Sequence, residues 1–139
     1  MFIYGSSKKN LYKENEPGSF RINLGTILEL EGEWEMALLD IDLPLLEKGY
    51  RPLYLTLFSN ICSSSILEAS QKPVFYRIYR SDFKPRKVLK ITTPRYVPLN
   101  VNSLQTVNMY MLDEKGQKPS FQSGQVNCTL HLRKKNDLS

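Results

Sequence analysis

The clearest signal along the chain is a period of two in its apolar positions. Phe20, Ile22, Leu24, Leu28 and Leu30 share one parity, and Arg21, Asn23, Glu29 and Glu31 the other, the mark of a half-buried strand. Trp34 opens a second apolar-rich run that Pro44 stops, so the two runs are expected to pair as a hairpin about Glu31-Gly32-Glu33. Near the other end, Val126, Cys128, Leu130 and Leu132 alternate with Asn127, Thr129, His131 and Arg133, giving one core face and one wet face.

Between these lie further strand patterns. Residues 53–58 and 74–79 each follow a proline and are rich in strand formers, and 106–112 runs into the turn sequence Asp113-Glu114-Lys115-Gly116. Residues 88–92 and 96–99 read as short, interrupted strands, and 63–70 as a loop with one helical turn. Residues 1–18 hold only scattered apolar side chains and are expected to form a flexible N-terminal arm; 19–135 form the domain, and 136–139 leave it as a tail. About eight short strands with no alternating helices predict an all-β sandwich, barrel or jelly roll, and spacing does not choose among them.

Composition narrows the class. At 139 residues and 41% apolar, the chain suits one core, and two cysteines are too few for a disulfide framework. No stretch approaches the roughly 20 apolar residues of a membrane helix, and the start lacks the order of a signal peptide, so a soluble, intracellular protein with reduced thiols and no membrane partner is expected. The net charge of +5 decides nothing, but its distribution is uneven. Glu29, Glu31, Glu33, Glu35, Asp40, Asp42 and Glu47 form an acidic block, and Arg77, Arg80, Lys84, Arg86, Lys87, Lys90 and Arg95 a basic one broken only by Asp82. Either both blocks are solvated strand faces, or they are complementary patches through which copies dock head to tail. On the second reading the interface candidates are Glu31, Glu33, Glu35, Asp40 and Asp42 against Arg77, Arg80, Arg86 and Lys87.

Little in the chain suggests catalysis. The single histidine, His131, falls on the strand face opposite Cys128, which separates the one possible Cys/His pair. One histidine and two distant cysteines offer no zinc spacing, and Asp40 with Asp42 lacks the further oxygens a cation needs, so no metal or cofactor is expected. The glycines match no phosphate-loop spacing, and Asn127-Cys128-Thr129, though a formal glycosylation acceptor, lies inside a strand. Tyr76, Tyr79, Phe83 and Tyr96 interleave with the basic block, as in single-strand nucleic-acid binders, which keeps that partner as the alternative.

Three patches in order carry a resemblance. Residues 20–24 with 28–44, containing Gly32-Glu33-Trp34-Glu35 and closing on Pro44, are the first; Pro94-Arg95-Tyr96-Val97-Pro98-Leu99 is the second. The third runs from Val107 through Asp113, Gly116, Phe121 and Gly124 to Leu130-His131-Leu132-Arg133, with Leu132 where the pattern has Phe. Together they resemble the minor capsid, or penton, proteins of Polinton/Maverick elements and adintoviruses. That resemblance implies a single eight-stranded jelly roll whose homopentamers fill the vertices of an icosahedral capsid, beside a double jelly-roll major capsid protein. It implies a virion protein assembled inside the host cell, in cytoplasm or nucleus, with no enzymatic role. In such a fold Phe20, Ile22 and Leu24 would meet Val126, Cys128, Leu130 and Leu132 in the core from paired first and last strands. His131 and Arg133 would then face outward beside Arg21 and Asn23. Trp34, a large aromatic just after the turn, is expected to close the core.

Overall fold

The computed structural model describes residues 1–9, 12–62, 73–84 and 87–135. Among these are nine strands: β1 (Phe2–Ser6), β2 (Ser19–Glu29), β3 (Trp34–Asp42), β4 (Tyr54–Ser59), β5 (Val74–Tyr79), β6 (Leu89–Lys90), β7 (Val97–Pro98), β8 (Ser103–Asp113) and β9 (Asn127–Lys134). A single 3-10 turn, Arg80–Asp82, follows β5. Every pairing is antiparallel. One sheet runs β1-β9-β3-β6, with β7 also on β3; the other runs β2-β8-β4-β5.

The protein is therefore all-β, two sheets in a sandwich-like arrangement. Alternation explains the core. Phe20 and Ile22 of β2, Leu55 and Leu57 of β4, and Val107, Met109 and Met111 of β8 bury one face of the four-stranded sheet. Met36, Leu38 and Ile41 of β3 and Cys128, Leu130 and Leu132 of β9 bury the facing side of the other. Val126 is fully buried just before β9, while Leu24 and Trp34 are half-buried against the same cluster.

Several sequence expectations need correction. The segment read as a flexible arm contains β1, which pairs with β9 through Ile3 opposite Leu130. Ile3, Gly5 and Ser7 turn inward while Phe2 and Tyr4 turn out, so a short alternation hides ahead of the charged run. Farther along, buried Asn15 donates to the Lys8 carbonyl and accepts from the Arg21 amide, tying the segment to β2. Nor do β2 and β3 form a hairpin. They belong to opposite sheets, and the chain crosses between them at Gly32, whose φ of +88° is open to glycine. For the same reason β2 and β9 do not pair: β2 pairs with β8 in one sheet, and β9 with β1 and β3 in the other. His131 and Arg133 thus stand beside Phe2 and Glu35, not beside Arg21 and Asn23. The expected helical turn at 63–70 and the tail 136–139 lie outside the described residues.

Two bulges shape the surface. In β3 the register shifts between Leu38 and Asp40, so both Leu38 and Ile41 reach the core while Asp40 and Asp42 point out. In β2 it shifts between Asn23 and Leu28. There Gly25, at φ +79°, accepts a turn closed by its amide on Asn23 Oδ1, and Ile27, on the same parity as Arg21 and Asn23, is 57% exposed.

Candidate interaction surfaces

The outer face of the five-stranded sheet carries an aromatic and charged cluster. Register sets Phe2, His131 and Ala37 in one row across β1, β9 and β3. The Phe2 and His131 rings lie 4.9 Å apart, and the Tyr96 hydroxyl is 2.6 Å from His131 Nδ1. The Arg133 guanidinium stacks 3.4 Å over the Tyr96 ring, and its Nε is 3.6 Å from Glu35 Oε1. Burial holds the His131 pKa below its usual value, helped by the Met1 ammonium and Arg133. The ring is therefore mainly neutral at pH 7, and the tautomer sets whether Nδ1 accepts the tyrosine O–H or donates to its oxygen. Ala37, opposite His131, is fully buried although it faces away from the core.

In the next rows Tyr4, Asp40, Asp42, Val88, Asn127 and Thr129 edge a shallow cleft of about 340 Å³. Tyr4 is 76% exposed beside it. Among the described residues no three His, Cys, Asp or Glu side chains gather as a metal site.

The structure does not sort the charged blocks into two facing flanks. Lys90 of the basic block lies across from Asp40 of the acidic one, and Glu35 pairs with Arg133 from outside both blocks. Arg77, on the other sheet, donates to Thr56 Oγ1 at 3.1 Å and packs over the Tyr54 ring at 4.4 Å. Arg80 binds the carbonyls of Pro52 and Arg51. Glu31, Glu33 and Lys87 are exposed, Asp42 is half-buried at the cleft, and Arg86 lies outside the described residues. The aromatics of the basic block are dispersed as well. Tyr76 and Phe83 pack toward the core, Tyr79 is exposed at the end of β5, and Tyr96 belongs to the opposite sheet's cluster. They form no single stacking platform of the kind single-strand binders use.

At the far end of β3 the sheets part around a pocket of about 230 Å³. Ile41, Leu43, Leu46, Ile78, Phe83 and Leu89 line it, together with Asp82 and the exposed Lys84 and Lys87. Asp82 turns its carboxylate back to accept the Tyr79 amide at 3.0 Å.

Sequence reading missed one buried polar pair. The Tyr50 hydroxyl donates to Asp113 Oδ2 at 2.8 Å, while Oδ1 accepts the amides of Lys115 and Gln117 at 2.9 Å. Burial alone would raise the Asp113 pKa; these three donors and the Lys115 charge outweigh it and hold the carboxyl below its usual range. The turn signal at 113–116 located the residue but gave no hint of its partner. Cys62 and Cys128 are buried free thiols, each pushed up to about 12 mainly by burial.

Taken together, the fold and these surfaces define a two-sheet antiparallel β-sandwich with an aromatic outer cluster and an apolar pocket at one end. Comparison with known protein families, with curated proteins and with solved structures finds no match to the chain.

Proposed function

We propose that the sandwich is a single jelly roll and that the chain is a capsid vertex protein of the penton kind its sequence resembles. The observation that carries this reading is the order of strand pairing. If β6 and β7, which pair with the same strand, count as one interrupted strand, eight strands pair first with eighth, second with seventh, third with sixth, and fourth with fifth. Third with eighth and fourth with seventh then join the pairs into two sheets. An antiparallel ribbon rolled up on itself has this pattern, and it is the plan of jelly-roll capsid domains.

On this reading the work of the protein is self-assembly. Five copies ring each vertex of a virion, seated against a double jelly-roll major capsid protein and assembled inside the host cell. Catalysis has no part in it. Negative-stain class averages and light scattering of the purified chain test the reading. Rings of five are expected. A monomer at every concentration and salt that also fails to join shells of the major capsid protein would overturn it.

A further inference from the structure

The geometry points to a head-to-tail contact between copies of this chain, in which the Ile27–Glu31 strip of one copy seats in the Lys84/Lys87-rimmed pocket of the next. The inference rests on the assembly reading and names the surfaces that would carry it.

The strip is an apolar side chain followed by acids. Leu28 and Leu30 turn inward, so Ile27, Glu29 and Glu31 share the outward side, all exposed. Alternation along β2 places Ile27 there, on the parity of the exposed Arg21, Asn23 and Glu29. The corner behind it is braced. The Trp34 indole donates to the Glu31 carbonyl at 3.0 Å, Lys135 donates to the Glu33 carbonyl at 2.8 Å, and Leu30 donates to the Asn102 carbonyl at 2.8 Å. A strip held this way loses little freedom on docking. Trp34 accordingly serves the corner as well as the core.

The pocket is the complement: an apolar floor with two exposed lysines. The one carboxylate in its lining, Asp82, is engaged with the Tyr79 amide. Strip and pocket lie at opposite ends of the nine-residue β3, roughly 30 Å apart at strand rise. Surfaces that differ and sit at opposite ends give a heterologous contact, which closes into a ring when the rotation allows. A hydrophobic anchor with a charged surround is also the arrangement that concentrates interface energy.

Sedimentation velocity on the full chain, across concentration at low and high salt, tests the contact. Wild type should self-associate, less so at high salt, and Ile27→Asp should weaken association by about tenfold or more. The sharper arm uses two charge-reversed chains, Glu29→Lys with Glu31→Lys, and Lys84→Glu with Lys87→Glu. Each alone should stay monomeric with an unchanged thermal melt. An equal mixture should associate again, because each reversed surface then finds its opposite on the other chain. Self-association of either reversed chain at the wild-type level, no recovery on mixing, or a wild type monomeric throughout would overturn the contact. Rings of five that survive both reversals would remove this contact and leave the capsid reading standing. Association that follows the swap, in a wild type that does not itself close into fives, would do the reverse; the mixture alternates two chains and can close only even-numbered rings.

Discussion

The Tyr96 hydroxyl and His131 Nδ1, 2.6 Å apart, join the stretch before β7 to the centre of the outer sheet face, with Arg133 stacked on the same tyrosine. Because the folded pKa is lowered, the unfolded chain takes up its proton first as pH falls. This contribution to stability is complete above the unfolded value of about 6.5 and is lost as pH drops from there toward the folded pKa. Thermal melts between pH 8 and pH 5 should show wild type losing more stability than His131→Gln. Parallel curves would mean that the ring does not titrate against folding.

The Asp113 site has the opposite chemistry and a lower pH window. A lowered carboxyl pKa stabilises the fold above the unfolded value of about 3.9 and ceases to do so as pH falls through the folded one. Asp113→Asn keeps the shape but weakens three hydrogen bonds, and should cost about 1–3 kcal/mol at pH 7 in urea denaturation. Its acid limb should also be shallower than that of wild type. Tyr50→Phe, which deletes one donor, should cost about 1 kcal/mol.

Ile3 distinguishes a strand from an arm. It is 4% exposed and sits opposite Leu130, so Ile3→Ala should cost about 2–5 kcal/mol in chemical denaturation, as for other core truncations. A loss under about 0.5 kcal/mol, typical of exposed positions, would mean that β1 is not docked in solution.

Both cysteines should be inert in the folded protein. With thiols pushed up to about 12, essentially no thiolate is present at pH 8. A thiol reagent should label neither until denaturant is added, and then label both. Fast labelling of the native protein would show local opening around β9 or Cys62.

Strand positions were legible because alternation is a local property: β2, β4, β5, β8 and β9 all lie on runs visible in the sequence. Sheet membership was not, because nothing within 20–43 says that the chain crosses from one sheet to the other at Gly32. The paired leucines 38 and 39 were the trace of the β3 bulge, since two adjacent apolar residues break a period of two. β1 was lost because its five residues are followed at once by Ser7, Lys8 and Lys9, which diluted the pattern. The charged blocks were correctly seen as blocks along the chain. Which residues they meet, Lys90 opposite Asp40 and Arg133 beside Glu35, depends on register, a long-range property.

The pairing of β1 with β9 also bears on how the chain folds. Ile3 must wait for Leu130, more than 120 residues further along the chain. During synthesis the outer sheet cannot close until β9 has left the ribosome, and β3 lacks its main neighbour for the same interval. Topology of this kind folds slowly and leaves strand edges open meanwhile, which exposes the growing chain to pairing with its own copies.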